Sequence, residues 1–345
     1  MSQTSIRLHT EKQAWENLLG RVDTYDFYHT FDYHQISRNT GESPVLLEYS
    51  AGDALILLPL LLRDIPDSDL KDATSVYGYA GPLSNLGESP EESVVATYKV
   101  TLEHYLLEMG VVSIFTRMNP FIPGQNELLE GLGTLRPLGD LVNIDLTRDL
   151  AASRAAYRRD TKSRVNKARR NFKVKLAESR EDVLNFIEVY LMTMEKLDAD
   201  DSYFFDQEYF FNFLDCDGFQ TDILLALDLE TDAVAAGSMF VKSNDIIQYH
   251  LSGTHPDHMR LAPSRLLIDE MRVRGTEEGF RFFNLGGGYQ CKADALFDFK
   301  SSFSDQTYPW IIWRYIVNPA EYEKLTQASG VGETQFFPAY RAPKS

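Results

Sequence analysis

The order of strand-like and helical segments over residues 221–285 is the feature that most constrains the fold. Three runs rich in apolar and β-branched residues, at 221–228, 233–242 and 246–254, predict consecutive antiparallel strands. A loop and helix at 256–278 and a further strand at 280–285 follow them. Antiparallel strands that lead into a strand–helix–strand unit are typical of an α/β (α+β) domain with a mixed, mostly antiparallel sheet flanked by helices.

The first part of the chain shows a similar succession. Strands are predicted at 5–8, 111–117 and 141–146, and a helix is predicted at 91–108. Residues 45–49 and 54–62 predict a hairpin, because Gly52 lies in the short connection between them. A chain of 345 residues usually divides into two domains, and a new helix begins near Asp149. We therefore expect two tandem lobes, at 1–148 and 149–345.

Positive charge is concentrated in one segment of an acidic chain. The chain carries 34 Lys and Arg against 51 Asp and Glu, for a net charge of -17, which argues against general affinity for DNA. Residues 154–175 nevertheless contain ten bases and a single acid, Asp160. Apolar positions recur there at helical spacing: Tyr157, Thr161, Val165, Ala168 and Phe172. The segment predicts an amphipathic helix whose cationic exterior is either an anion-docking surface, with Arg158 and Arg164 as candidates, or a solvated face.

No segment predicts a membrane span or a metal site. The longest apolar run, 54–62, is interrupted by Pro59 and is shorter than the roughly 20 residues that cross a bilayer. The N-terminus lacks a secretory signal, so we expect a cytoplasmic protein. Two cysteines are too few for a disulfide framework, and the spacing of His250, His255 and His258 matches no zinc signature.

Three consecutive glycines, Gly286, Gly287 and Gly288, follow the strand at 280–285 and precede Tyr289. Glycine permits backbone conformations and close approaches that a side chain would block. The run is therefore either one wall of a ligand site, together with Tyr289, or a plain tight turn.

A helix predicted at 296–303 carries a lysine on its apolar side. At roughly 100° per residue, Lys300 falls within the arc of Leu296, Phe299 and Phe303, and polar residues occupy the opposite side. An ammonium among apolar side chains costs free energy unless it is paired or its pKa shifts, which makes Lys300 a functional candidate. It could stabilise an oxyanion or hold a phosphate. The alternative is a lysine that extends to water from the edge of the stripe or pairs with a core carboxylate.

Further candidate residues are polar or aromatic and lie in three places: the mouth of the helix at 264–278 (Arg260, Ser264 and Arg265), the turn-forming segment at 77–82 (Tyr77 and Tyr79), and the end of the strand at 246–254 (His250). A helix N-terminus beside two arginines favours an anion site. His250 is a candidate base or hydrogen-bonding group, with a structural role as the alternative.

Several of these segments resemble a known family. The stretch YHLSGTHPDHMRLAPSRLLIDEMRVRGTEEGFRFFNLGGG, followed by ALFDFKSSF, resembles the FemAB-like (Fem-type peptidyltransferase-related) branch of the GNAT acyltransferase superfamily. The basic segment YRRDTKSRVNKARRNFKV is similar to the start of that family's second lobe, and FYHTFDYHQI and YGYAGP are similar to elements of its first. The resemblance implies two GNAT-like lobes that share a cleft.

The resemblance also implies an activity. Characterised Fem-type enzymes add amino acids to peptidoglycan precursors, so the implied reaction moves an acyl or aminoacyl group to an amine. The implied donor is an acyl-CoA or an aminoacyl-tRNA, with no permanently bound cofactor. Lys300, preceded by Phe299, matches the family lysine that supports catalysis, and the glycine run matches the strand end that lines the cleft.

Two features depart from the family pattern. GNAT enzymes that use CoA have a glycine-rich loop before the long helix, whereas this chain has Arg260, Leu261, Ala262 and Pro263, and proline offers no N–H to a pyrophosphate. The long helical arm of some tRNA-using members also has no counterpart here.

The leading hypothesis is an N-acyltransferase that acts on an amine of a cell-envelope or polysaccharide precursor, either a small molecule or lipid-linked. Lys300 would stabilise negative charge, and His250 or Asp294 would be the base. Donor or acceptor phosphates would bind to Arg158, Arg164, Arg260 or Arg265. The alternative is a non-catalytic module that binds a nucleotide-sugar or an anionic glycan through the basic helix and the segment at 77–82.

Overall fold

The chain forms two compact units. The computed structural model describes residues 4–343, so the outermost ends of the predicted lobes, 1–3 and 344–345, lie outside the described residues. The first unit consists of the described residues up to Leu138 together with those from Trp310 onward. The second unit is Gly139–Pro309.

The first unit is built from strands β1 (Ser5–His9), β2 (Glu42–Ala51), β3 (Ala54–Asp64), β4 (Lys71–Thr74), β5 (Leu83–Ser84) and β6 (Val111–Arg117), with helices α1 (Lys12–Leu19), α2 (Phe31–Ser37), α3 (Glu92–Glu108) and α4 (Gln125–Leu129). Strand β7 (Thr134–Asp145) then carries the chain into the second unit.

The second unit contains helices α5 (Leu150–Ala155), α6 (Arg159–Ala168), α7 (Arg180–Lys196), α8 (Gln207–Asp215), α9 (Pro263–Glu277) and α10 (Ala295–Ser301), with strands β8 (Phe172–Leu176), β9 (Gln220–Asp228), β10 (Val234–Ser243), β11 (Ile246–Thr254) and β12 (Phe282–Gly286). Strand β13 (Gln306–Ile316) returns the chain to the first unit, where α11 (Pro319–Ser329) follows.

Both units have the same strand-pairing pattern. The sheet of the first unit has the order β1-β2-β3-β4-β6-β13, and that of the second has the order β8-β9-β10-β11-β12-β7. In each order the fourth and fifth strands are parallel, and all other neighbours are antiparallel. Helices flank both sheets. The predicted fold class of two tandem lobes with mixed, mostly antiparallel sheets is confirmed.

Each unit has its own hydrophobic core. In the first unit, α3 packs against the sheet through Tyr98, Leu102 and Leu106, and Trp313 is fully buried beside them. In the second unit, helices α6 and α9 cover β7, β9, β10, β11 and β12 and bury Leu267, Met271 and other apolar side chains completely. Among residues 4–343, no helix is long and apolar enough to cross a membrane.

The basic segment is two helices, not the single helix that the apolar spacing predicted. Helix α5 ends at Ala155, and Arg158 has an extended ψ of 152° before α6 begins. The break is held by tertiary contacts: the Arg158 N–H donates to the Ser302 carbonyl over 2.9 Å, and the Tyr157 ring packs edge-on against Phe303. The predicted apolar stripe is nevertheless buried, because its last member, Phe172, opens β8 beneath α6.

A buried carboxylate joins these two helices to α9. Asp269 on α9 is fully buried and accepts from Arg154 at 3.0 Å, Arg169 at 2.6 Å and Arg272 at 3.1 Å, and the Tyr157 hydroxyl donates to it over 3.0 Å. One carboxylate thus forms ion pairs with three guanidinium groups. The basic segment is in part a structural anchor.

The unit boundaries differ from the expected division at residue 148. The chain crosses between the units within β7 and returns within β13, so the sheet of the first unit is completed by a strand that follows the whole second unit in the sequence. Strand β13 was not predicted, although the run TYPWIIWRYI has the composition of a strand.

Candidate functional site

Strands β11 and β12 separate at the centre of the second unit. Their parallel pairing joins Ile246–Gln248 to Phe282–Asn284. Beyond these residues β11 continues along β10 to Thr254, whereas β12 follows β7 and pairs Gly286 with Val142. Strands that part in this way leave backbone N–H and C=O groups without their ladder partners, and a ligand can bind to them.

The glycine run lies where β12 leaves its neighbour. Gly286 has φ of 78°, a left-handed conformation that favours glycine. A Cβ on Gly288 would lie 2.5 Å from Oδ1 of Asp294 and would overlap the Lys292 carbonyl oxygen. Glycine is therefore favoured at Gly286 by the backbone conformation and at Gly288 by the lack of space for a side chain. The next residue, Tyr289, is 52% exposed.

Lys300 is held against the glycine run. Its Nζ donates to the Gly287 carbonyl oxygen over 2.7 Å, and its side chain lies on the partly buried side of α10 with Phe297 and Phe299. Leu296, expected within the same arc, is instead 43% exposed. Burial lowers the pKa of Lys300 to about 8, against the opposing effect of the Asp294 carboxylate.

Asp294 caps α10. Its Oδ1 accepts from the Phe297 N–H and its Oδ2 from the Tyr289 N–H, both over 2.9 Å. These backbone hydrogen bonds, that of Phe297 first, lower the pKa of Asp294. Both oxygens are therefore occupied by the backbone, which is the arrangement of a capping residue rather than of a base.

Arg265, in the first turn of α9, faces α10. Its guanidinium lies 4.7 Å from the Phe299 ring centroid and donates to the hydroxyls of Thr161 and Ser302 over 2.7 and 2.8 Å. Burial lowers the pKa of Arg265. In the part of the chain that the structure describes, no carboxylate lies within 4.0 Å of this guanidinium. Arg265 is thus a half-buried cation whose charge is not neutralised by direct contact.

The approach to α9 departs from a phosphate-binding glycine loop. Ala262 has φ of 53°, and Pro263 occupies the first helical turn without an N–H. Arg260 is exposed in the short 3-10 helix before it, and the Ser264 hydroxyl hydrogen-bonds to Thr254 over 3.2 Å. Side chains, more than backbone N–H groups, would have to bind an anion here.

The two candidate arginines of the basic segment have different surroundings. Arg158 donates to Asp298 over 2.6 Å and to the Ser301 hydroxyl over 3.0 Å, so it lies directly beside α10. Arg164 is exposed and lies 3.7 Å from Asp160 on the next turn of α6. The structure brings Arg158, Arg265, the glycine run and Lys300 to one side of the second unit.

His250 lies in an aromatic cluster on the other face of the sheet. Its Nε2 is 2.9 Å from the Tyr209 hydroxyl, and its ring packs 4.9 Å from that of Phe213. Burial lowers the pKa of His250 to about 3, so its imidazole is a weak proton acceptor. Within residues 4–343, no group of three or more His, Cys, Asp and Glu side chains could hold a metal ion.

Tyr77 and Tyr79 lie in the first unit, after β4. The parallel pair β4 and β6 corresponds to β11 and β12 of the second unit, but here the chain does not separate from its neighbour. After β4, the Ser75 N–H donates to Phe115 and the Ala80 N–H to Arg117, over 2.9 and 2.8 Å, so the chain stays attached to β6. Tyr77 is 62% exposed, with the Arg117 guanidinium 5.6 Å from its ring centroid, and Tyr79 packs edge-on against Trp310.

Two polar residues at the strand separation, Asn284 and Gln248, are not among the site residues predicted from the sequence. Asn284 is buried in β12, and its side chain donates to Gln248 on β11 over 2.8 Å. The sequence feature that could have identified Asn284 is an amide side chain inside the apolar run FRFFNLGGG. A polar side chain in a buried strand needs a hydrogen-bond partner, and that partner is identified only by the strand order.

Residues 155–301, all within the second unit, match the family model described as the acetyltransferase (GNAT) domain. The match begins at the end of α5 and ends at the last residue of α10, so it includes the separated strands and Lys300. No curated protein sequence matches the chain.

Solved structures extend the likeness to the whole chain. The crystal structure of FemX superposes with a TM-score of 0.68 at 13% identity and covers 93% of this chain and 99% of its own. L-PGS from Bacillus licheniformis gives 0.55 at 12% identity, with 89% and 91% covered. A tandem GNAT protein from the clavulanic acid biosynthesis pathway gives 0.50 at 13% identity, with 92% and 99% covered.

These comparisons confirm the resemblance to the FemAB-like branch of the GNAT acyltransferase superfamily. At such identities the structural likeness establishes the fold, and the domain match supports an acyltransferase in the second unit.

Proposed function

We propose that the protein transfers an acyl or aminoacyl group from an activated donor to an amine, and that the reaction takes place at Lys300. The observation that carries the proposal is the Lys300 ammonium, which is fixed to the Gly287 carbonyl beside the point where β11 and β12 part. A half-buried cation at a gap between strands is suited to binding a polarised carbonyl group.

The proposed reaction is a direct attack on the donor carbonyl. The acceptor nitrogen forms a C–N bond, the carbonyl oxygen becomes an oxyanion, and the bond to the thiol or hydroxyl leaving group then breaks. The nitrogen loses a proton, and the leaving group gains one. With a pKa of about 8, Lys300 is mostly protonated at pH 7. One of its N–H groups is bound to Gly287, and the others can donate to the oxyanion.

The donor is proposed to be an acyl-CoA or an aminoacyl-tRNA, both of which carry phosphates. Arg265 supports anion binding, because it is half-buried and has no carboxylate within 4.0 Å among residues 4–343. Arg158, Arg164 and Arg260 would add positive charge around it. Because Pro263 removes a backbone donor, we expect these side chains to contribute more than the N-terminus of α9.

Neither predicted base has the surroundings that the role requires. Asp294 is committed to two backbone N–H groups, and the pKa of His250 is about 3. We therefore propose capping for Asp294 and packing for His250. The acceptor would then have to arrive as the neutral amine.

For the acceptor we propose an amine of a cell-envelope or polysaccharide precursor, small or lipid-linked, handled in the cytoplasm. The support is the Fem-type resemblance and the likeness to a structure described as the C-terminal domain of a putative lysylphosphatidylglycerol synthetase from Agrobacterium fabrum (TM-score 0.55, 13% identity).

Donor turnover is the test. The purified protein is incubated with labelled acyl-CoAs, and separately with aminoacyl-tRNAs, each with a panel of envelope amines, and donor loss and acylated product are measured. Ribonuclease sensitivity identifies a tRNA donor. Formation of an acylated amine supports the proposal. Binding of a nucleotide-sugar or glycan without consumption of any donor would replace it with the non-catalytic module.

A further inference from the structure

Asn284 connects the two separating strands to the loop that holds Lys300. It is 1% exposed on β12. Its Nδ2 donates to Gln248 Oε1 on β11 over 2.8 Å, and its Oδ1 accepts from the Gly286 N–H over 2.9 Å. One side chain therefore joins Gln248, the last residue of β11 that pairs with β12, to the first residue of the glycine run.

The contacts continue to the ammonium group. Gly286 has φ of 78°, and the residue after it, Gly287, supplies the carbonyl oxygen that accepts from Lys300. A side-chain oxygen that accepts from the N–H two residues further on holds a turn in one conformation. The direction of the Gly287 carbonyl thus depends on the turn that Asn284 stabilises.

We propose that Asn284 is a positioning residue: by tying Gly286 to β11, it places the Gly287 carbonyl that holds the Lys300 ammonium. Asn284 itself touches neither donor nor acceptor. The inference rests on the function proposed for Lys300, but its structural part can be tested without any assay of transfer.

The chain offers a matched control in Asn143. This residue lies directly opposite Asn284 on β7, is also 1% exposed, and donates to Gln306 over 3.2 Å. Within residues 4–343, its side chain has no hydrogen bond to the glycine run. Asn284→Ala and Asn143→Ala therefore remove the same buried amide from neighbouring strands, and only Asn284→Ala releases Gly286.

Amine labelling of Lys300 tests the structural part. Wild type and both variants are treated with an acylating reagent over a range of pH, and modification of Lys300 is followed by mass spectrometry. The wild-type midpoint is expected at about 8. Release of the turn admits water to the ammonium, so in Asn284→Ala the midpoint moves upward towards 10.5. In Asn143→Ala it stays at the wild-type value.

Other charges around α10 are the same in all of these proteins. They include Asp294, Asp298 and Lys292, Arg158 immediately before α6, Asp160 and Arg164 on α6, and Arg265 on α9. A shift confined to Asn284→Ala therefore reports the position of Lys300 relative to Gly287. An unchanged midpoint in Asn284→Ala, or equal shifts in both variants, would overturn the proposal.

Kinetics separate this inference from the proposed function. We expect Asn284→Ala to lower kcat by about 10-fold to 100-fold, and Asn143→Ala to lower it far less. If Lys300→Ala does not affect transfer but the labelling shift is observed, the role of Lys300 is wrong and the positioning by Asn284 is right. If Asn284→Ala does not fold, Gln248→Met, which removes the acceptor of the Asn284 Nδ2 hydrogen bond, should shift the midpoint in the same direction; no shift there would count against the proposal.

Discussion

At the scale of single residues, the proposed function depends on one lysine in an unusual environment. Lys300 could be singled out from the sequence because the helical period places it near phenylalanines. An unusual backbone conformation or a close approach at the glycine run could also be predicted, because glycine has few substitutes where φ is positive or another backbone is close. The surroundings of His250 could not be predicted, because Tyr209 and Phe213 come from α8, 41 and 37 positions earlier in the sequence.

The pKa of Lys300 predicts an alkaline limit on the rate. A group with a pKa of about 8 is about nine-tenths protonated at pH 7 and about one-tenth protonated at pH 9. Because the charged form is the one that binds the oxyanion, kcat should fall as pH rises through about 8. In Lys300→Arg, whose charge persists to much higher pH, any remaining activity should lack this fall. A pH profile of both proteins checks the prediction, and the same alkaline limb in Lys300→Arg would assign it to another group.

Gly288 should not tolerate alanine. The added Cβ would lie 2.5 Å from Asp294 Oδ1 and closer still to the Lys292 carbonyl oxygen, so the cap of α10 must shift. We expect Gly288→Ala to lower the free energy of unfolding by about 1–3 kcal/mol and to reduce transfer activity. Gly332→Ala is the control, since a Cβ there meets no atom within 4 Å. Urea unfolding of both variants checks this, and equal stabilities would contradict it.

At the scale of elements, local segments were predicted well and long-range ones were not. The hairpin of β2 and β3, helix α3 and strand β6 lie where periodicity placed them, since contacts within or next to each segment determine them. The basic segment breaks between α5 and α6 although no proline or glycine marks the break. The cause is the contact of residues 157 and 158 with residues 302 and 303, which no local pattern can show.

The junction of α5, α6 and α9 should depend on Asp269. Replacing this buried carboxylate by an amide leaves Arg272, itself 2% exposed, without its counter-charge. We expect Asp269→Asn to lower the free energy of unfolding by about 3–5 kcal/mol. Asp160→Asn, at an exposed ion pair of 3.7 Å, should change it by less than about 0.5 kcal/mol. Denaturant unfolding compares the two, and a small effect of Asp269→Asn would show that the arginines are stabilised in another way.

At the scale of the whole molecule, two units share one pairing pattern but differ where their parallel strands end. In the second unit β11 and β12 part after Gln248 and Asn284, whereas in the first unit Ser75 and Ala80 keep the chain bound to β6. The repeated architecture could be expected from the strand order. The unit boundaries could not, because the sheet of the first unit is completed by β13, which follows the whole second unit in the sequence.

This difference predicts one donor site per chain. The separated strands of the second unit can take an extended donor, and the closed position in the first unit cannot. Titration with the donor identified by turnover should therefore give a stoichiometry of one. Binding of two donor molecules per chain would show that the first unit opens.

Initial rates at pH 7 test most directly whether Lys300 stabilises the transition state of acyl transfer. Lys300→Ala should lower kcat by about 100-fold to 1000-fold, as expected when one oxyanion donor is removed. Lys292→Ala, which removes an exposed lysine eight residues earlier, should leave the rate close to that of wild type. Transfer by Lys300→Ala at the wild-type rate would contradict the role proposed for Lys300.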